Sequence, residues 1–283
     1  MQSKVALLAD IHGNSPALQA VMEDIQRQGC SHVFMLGDLI NGVDPTGCTQ
    51  LLRNRCAQAR IELICLKGNA EAYLLTPDRE ALLGRPEPWN LEMIQLVQWF
   101  AAHLTYEDME WIRSFHDFVL WQNACLVHDS PNDRLYPESW HNPDLETKYQ
   151  EWFHHAPGLY PEMPEPEWQK LWAFMEAHHF AQVFCGHTHV PFYREYEGKR
   201  VCNPGSVGVP LDGDPRPSWL LVSGSADGLP EILFRRVDYD IARMHTLIDQ
   251  TPDYPDFAVP GRKEAYKQWL STGIYWKVHR TPG

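Results

Sequence analysis

"LLADIHGN", residues 7–14, decides the fold. An apolar run meets Asp10 and His12, two good metal ligands with one residue between them, and then breaks at Gly13. A buried strand that ends this way carries chemistry to the edge of a sheet. The next segment is helical: Leu18, Val21, Met22 and Ile25 recur at helical spacing until Gly29 closes it. Ser15 is read as the cap of this helix with Pro16 at its first position. Asn14 could approach a substrate or cap the same helix, and the cap is the reading adopted.

The β-α pattern repeats outward from that stretch. "HVFMLGD" (32–38) reads as a second strand, a helix covers about 46–58, and "IELICLKGN" (61–69) is a third strand. Residues 91–115 look helical, with Thr105 and Asp108 spaced as a capping box before "MEWIRSF". Further strands are expected at "ACLVHD" (124–129), "QVFCGH" (182–187), "RVCNPGSV" (200–207), "SWLLVS" (218–223) and "EILFRRV" (231–237), and closing helices at 239–249 and 262–271. Strands alternating with helices signal a layered α/β fold.

The chain has 283 residues and is 44% hydrophobic, enough to bury a sizeable core. It is read as a single domain over 1–283, with cap insertions at about 76–120 and 132–178 and a helical C-terminal extension at about 239–283. Its 24 Lys and Arg against 37 Asp and Glu give a formal charge of −13, which repels a phosphate backbone and argues against duplex nucleic acid as a partner. The N-terminus lacks a signal-peptide apolar region, and no stretch approaches a membrane span. The seven cysteines are odd in number and form no CxxC pair. They read as reduced, buried thiols, so the expected location is the cytoplasm.

Potential ligands recur where strands end: Asp10 and His12, Asp38, Asn69, His128, then His187 and His189. In open α/β sheets that edge, beyond the carboxyl ends of the strands, is where ligands bind. A glycine precedes Asp38, Asn69 and His187, where it would let the backbone turn sharply. In an extended chain, residues two apart project to one side, so Asp10 with His12, and His187 with His189, could reach one centre or two adjacent ones. Carboxylate, imidazole and amide ligands without cysteine suit Mn, Fe, Co, Ni or Zn.

"DIHGN" (10–14), "GD" (37–38), "GN" (68–69), "VHDSP" (127–131) and "GHTH" (186–189), in this order, resemble the calcineurin-like metallophosphoesterase superfamily. "NPGSVG" (203–208) and "DGDPRPSW" (212–219) are similar to its bacterial branch of small phosphodiesterases and diadenosine-tetraphosphatase-related proteins. The resemblance covers roughly residues 4–238 and implies two packed β-sheets flanked by helices, a four-layer αββα sandwich with a helical insertion.

It also implies a dinuclear site for two divalent or trivalent metals, Mn or Fe favoured. Asp10, His12 and His189 would hold one ion, Asn69, His128 and His187 the other, and Asp38 would bridge them. Asp38, Asn69, His128 and His187 are the residues expected to carry catalysis. Two such cations clamp an in-line displacement at phosphorus by an activated water. The backbone around Asn203 is a candidate support for the tautomers of His187 and His189.

One departure bears on the substrate. The family's third motif continues Gly-Asn-His, whereas this chain reads "GNAEAY", with Ala70 where that histidine would donate a proton to the leaving oxygen. A positioned general acid is worth about 10²–10⁴ in rate. The expected reaction is therefore hydrolysis of a phosphodiester or nucleoside polyphosphate, whose leaving groups need less help. The alternatives are a phosphomonoesterase or protein phosphatase, and a non-catalytic binding scaffold on the same fold. Glu71 is expected to be structural, although it could replace the missing acid. The pairs His154-His155 and His178-His179 are read as solvated positions, because adjacent side chains diverge. Arg134 and Arg216 could fork a distal phosphate, but surface ion pairs explain them more simply. The tryptophans between Trp89 and Trp172 are read as a hydrophobic cap on the sheet.

Overall fold

The run before Asp10 forms β1 (Lys4–Leu8), the middle strand of a five-stranded sheet. In this computed structural model, which describes residues 4–76, 89–129, 165–224 and 230–275, β1 is buried on both faces, as its unbroken apolar sequence requires. β2 (His32–Met35) pairs parallel with β1, and β3 (Glu62–Cys65) parallel with β2. On the other side β9 (Ser218–Ser223) runs antiparallel to β1, and β10 (Glu231–Arg236) antiparallel to β9. A second five-stranded sheet holds β4 (Val119–Trp121), β5 (Ala124–Leu126), β6 (Gln182–Phe184), β8 (Lys199–Asn203) and β7 (Phe192–Tyr196), in that spatial order. Its inner strands β5, β6 and β8 are parallel.

Strand alternation divides the burial. Val5 and Leu7 of β1, with Ala9 just beyond it, face Leu126, Phe184 and Cys202 across the space between the sheets. Ala6 and Leu8 face the other way, into helices. There α1 (Ser15–Gln28), α2 (Pro45–Ala59) and α3 (Asn69–Leu75) share a core with α4 (Trp89–His103), α5 (Tyr106–Arg113), α7 (Ile241–Gln250) and α8 (Arg262–Thr272). α6 (Glu165–Ala177) covers the outer face of the second sheet through Trp168, Leu171, Trp172 and Met175. The result is the expected sandwich: two mixed sheets flanked by eight helices among the described residues. None of these helices is long and apolar enough to cross a membrane.

The α5 capping box forms as expected, with the Asp108 amide donating to Thr105 Oγ1 at 3.1 Å and the Thr105 amide to Asp108 Oδ2 at 3.2 Å. The start of α1 differs. Asn14 is the cap, its Oδ1 accepting from the Ala17 amide at 3.1 Å, while Ser15 is the first helical residue and turns its hydroxyl to Asp44. Pro16 therefore stands one position further in. β4 and β7 carry no clear strand signal because both are sheet edges. In "FYREY" (192–196) only Phe192 is buried, and a strand with a wet face and a free edge loses its apolar alternation. Trp168 and Trp172 are buried and pack on the second sheet, as a hydrophobic cap would, whereas Trp99 is buried among helices against Phe100, His103 and Tyr254. Arg134, His154, His155 and most of the insertion at 132–178 lie outside the described residues.

Candidate metal centre

Register brings the ligand-bearing loops together. Leu8 pairs with Met35 and Met35 with Cys65, so β1, β2 and β3 end side by side, and Asp10, Asp38 and Asn69 lie within four residues of those ends. In the second sheet Leu126 pairs with Phe184, which places His128 beside His187. All seven residues singled out by the sequence meet at this edge. Ligand atoms of Asp10, His12 and His189 lie within 4.8 Å of one another, as do those of Asp10, Asp38 and His128. Asn69 Oδ1 lies 3.1 Å from His128 Nε2 and 3.1 Å from His187 Nδ1.

The convergence does not come from strand alternation. Asp10, His12, Asp38, His187 and His189 are all left-handed, with φ of 54°, 47°, 55°, 70° and 60°. This conformation costs a non-glycine residue roughly 1–2 kcal/mol. Long-range bonds brace all five: the Asp10 amide donates to Gly37 O at 3.1 Å, His12 to Asp38 O at 3.0 Å, Asp38 to Glu71 Oε2 at 2.9 Å and His187 to Asp10 Oδ2 at 2.9 Å, while His189 O accepts from the Leu211 amide at 3.4 Å. The glycines also act differently from the expectation. Gly37 has a positive φ of 105°, but Gly68 and Gly186 do not. What Gly68 supplies is space: a Cβ there would lie 2.1 Å from Asp38 Oδ1. One at Gly186 would lie 2.7 Å from the Ala9 side chain.

Backbone carbonyls fix the imidazoles. His12 Nδ1 faces Asn41 O at 3.0 Å, His128 Nδ1 faces Leu36 O at 2.8 Å, and His189 Nδ1 faces Val209 O at 3.0 Å. A carbonyl only accepts, so each Nδ1 carries the proton and each Nε2 presents a lone pair. The Nε2 atoms of His12 and His189 then confront each other at 3.0 Å, with Asp10 Oδ1 3.8 Å and 3.5 Å away. Asp10 Oδ1 is buried without a hydrogen-bond partner. Acceptors converging on acceptors in a buried site are an electron-rich cradle that a cation satisfies, so this residue set fits the metal ions the family uses.

Electrostatics agree. Burial opposes ionisation of Asp10, but the imidazoles of His189, His12 and His128 outweigh it and bring the carboxyl down to about 2. Burial pushes His189 down to about 4, and burial with His128 lowers His187, so both imidazoles are neutral at pH 7. Burial also works against charging His12, yet the neighbouring carboxylates of Asp10 and Asp38 leave it raised.

Asp38 reaches both halves of the cluster. Its Oδ2 is 3.6 Å from His12 Nε2, and its Oδ1 is 3.6 Å from His128 Nε2 while accepting from the Ala70 amide at 2.9 Å. Beneath it lies Glu71, fully buried. Glu71 Oε2 accepts from the amides of Gly68 at 2.8 Å and Asp38 at 2.9 Å, and Oε1 from Leu39 at 2.9 Å and Ile40 at 3.3 Å. Burial and the neighbouring Asp38 raise its carboxyl, and the amides favour the ionised form. A carboxylate with four N–H donors is an anchor for the Asp38 loop, not an acid aimed at a leaving group. Ala70 is buried in the helical core.

The 203–209 segment braces the floor from the other sheet. Asn203 Nδ2 donates to Gly186 O at 2.6 Å and Thr188 Oγ1 at 3.0 Å, so it supports the backbone that carries His187 and His189, not their ring nitrogens as expected. Ser206 Oγ donates to Asp10 O at 2.6 Å, and Asn14 Nδ2 to Gly208 O at 2.8 Å. Outside the centre, Arg216 pairs with Asp214 at 2.6 Å, and His178 and His179 are exposed. Val209 and Asn41, which set two tautomers, carried no sequence signal, because only their carbonyls act.

Residues 4–226 match the calcineurin-like phosphoesterase superfamily domain, and the chain belongs to that superfamily. Over 268 residues it is 25% identical to the uncharacterized protein MJ0912 of Methanocaldococcus jannaschii, covering 88% of this chain and 93% of that one. Among solved structures it is similar to a metallophosphoesterase from Sphaerobacter thermophilus, with a TM-score of 0.65 at 21% identity over 96% of this chain and 100% of that one. It is similar also to the hypothetical protein PH1004 of Pyrococcus horikoshii, with a TM-score of 0.68 at 18% identity over 97% and 100% of the two chains. These two likenesses are of fold.

Proposed function

We propose that this protein hydrolyses a phosphodiester or the phosphoanhydride of a nucleoside polyphosphate at a dinuclear metal centre. Asp10, His12 and His189 would hold one ion and Asn69, His128 and His187 the other, with Asp38 placed to serve both. Cations bound there would supply Lewis-acid chemistry, lowering the pKa of a bound water and offsetting charge on the phosphoryl oxygens. The protein's part is to turn imidazole lone pairs inward, to keep Asp10 ionised, and to fix the seven side chains on a strained but braced backbone.

The observation that carries the substrate class is at residues 70 and 71. Ala70 offers no proton donor, and Glu71 beside it is committed to four backbone amides. With no acid at that position, a leaving group that is stable as an anion is favoured: an aryloxide or a phosphate, not the alkoxide of a phosphoserine.

The test is hydrolysis with Mn of bis-p-nitrophenyl phosphate and diadenosine tetraphosphate, beside p-nitrophenyl phosphate and a phosphoserine peptide. Turnover of the three substrates with aryloxide or phosphate leaving groups well above that of the phosphoserine peptide, lost in Asp38→Ala, is the expected result, and the ratio of the bis-aryl to the mono-aryl ester separates diester from monoester hydrolysis. Preference for the phosphopeptide would overturn the substrate class, and a chain that binds no metal would overturn the mechanism.

A further inference from the structure

The matched superfamily domain ends at residue 226, yet the chain returns to the metal centre after it. α8 is seated by Leu270, which is 1% exposed in the helical core, and by Lys263 and Lys267, each 2.7 Å from Asp249 of α7. Its Trp269 lies with its ring nearly parallel to that of His189, at 15° and 6.4 Å between centroids. Trp269 Nε1 donates to Pro210 O at 2.8 Å. The preceding carbonyl, Val209 O, is the one that takes His189 Nδ1 at 3.0 Å, and the following amide, Leu211, donates back to His189 O at 3.4 Å.

A second fastening lies just beyond. The Gly213 amide donates to Gly273 O at 3.1 Å, and Gly273, at φ 68°, lies so close to Asp214 that a Cβ would come within 2.8 Å of its backbone. The loop that sets the tautomer and tilt of His189 is thus pinned at both ends by the C-terminal helix and the turn after it. Tyr266 and Tyr275 meet Trp269 edge-on, at 6.0 Å and 4.8 Å, and hold its ring in place.

We infer that the C-terminal extension is a working wall of the metal centre, in which Trp269 is a positioning residue that fixes His189 through the Pro210 carbonyl. Partners that orient metal-ligating histidines are typically worth 10–100-fold in metal affinity. Trp269 reaches only the Asp10, His12 and His189 half of the site, so its loss weakens one metal and leaves the other. The inference rests on the dinuclear reading above but not on the substrate.

The experiment uses the full chain, stripped with chelator and titrated calorimetrically with Mn, alongside urea unfolding of the apo forms. Trp269→Phe keeps an aromatic ring and loses the N–H. The expected result is one of two Mn sites weakened about 10-fold in that variant. Ile25→Ala, which removes a fully buried core contact near the far end of α1, serves as the control. It should lower the urea midpoint and leave both Mn affinities as in the wild type. Wild-type Mn affinities in Trp269→Phe, or equal weakening in Ile25→Ala, would overturn the inference while leaving the dinuclear reading intact. A wild-type chain that takes up no Mn would overturn both.

Discussion

Glu71→Gln is the substitution that most directly tests how the centre is held. In the wild type two N–H groups point at each carboxylate oxygen, at 2.8–3.3 Å. A glutamine keeps one oxygen and turns an NH₂ toward the other two donors. Each buried donor left without an acceptor costs about 1–3 kcal/mol, a gross loss of about 2–6 kcal/mol. Replacing a buried charge beside Asp38 with a neutral amide offsets part of this, so a net destabilisation of about 2–4 kcal/mol is expected. With a urea slope of about 3 kcal/mol/M, the midpoint falls by about 1 M. The freed amides belong to the loop that carries Asp38, so metal affinity should fall about 10–100-fold as well. Activity toward bis-aryl phosphates with leaving groups of different acidity then separates an anchor from an acid. An anchor loses the same factor for every leaving group, whereas an acid loses most for the poorest. A glutamine variant with wild-type urea midpoint and metal content, or one whose loss grows steadily as the leaving group worsens, would refute the reasoning.

The same geometry sets the outcome of three further perturbations. Gly68→Ala places a methyl where Asp38 Oδ1 and N lie, 2.1 Å and 2.4 Å away, so the purified variant should hold less metal by elemental analysis while still folding. Asp24, buried on α1, takes both nitrogens of an Arg235 fork at 2.7 Å and 3.1 Å and has its pKa lowered, with burial opposing and the two arginines Arg235 and Arg27 outweighing it. A depressed carboxylate stabilises the fold above its unfolded value and loses that contribution as pH falls through the folded one. Asp24→Asn should therefore cost about 1–2 kcal/mol at pH 7 after allowance for the partly exposed Arg235, and the gap in urea stability should narrow from pH 5 to pH 3; a gap independent of pH would remove the ion pair from the account. All seven cysteines are buried, and burial pushes Cys56, Cys125 and Cys202 up to about 12. Ellman's reagent at pH 8 should label the native chain slowly and all seven thiols in urea, and rapid labelling without denaturant would contradict that burial.

The sequence by itself determined which residues meet at the centre. Asp10, His12, Asp38, Asn69, His128, His187 and His189 are legible because each comes just after an apolar run that can only be a buried strand, and strand ends are a local property. It also determined most helices and the Thr105–Asp108 cap, which depend on neighbours three or four positions away. Tertiary structure alone decided how the ligands converge. His12 faces His189 across 177 positions of chain because two sheets stack and their strands end in register, and five of these residues take left-handed backbones braced by distant carbonyls and carboxylates. The same is true of Glu71, whose four partners lie on loops from two strands, and of Trp269, which reaches His189 from beyond the superfamily domain. Local pattern records what a residue must avoid or bury; which distant backbone atom will receive its hydrogen bond is fixed only when the layers pack.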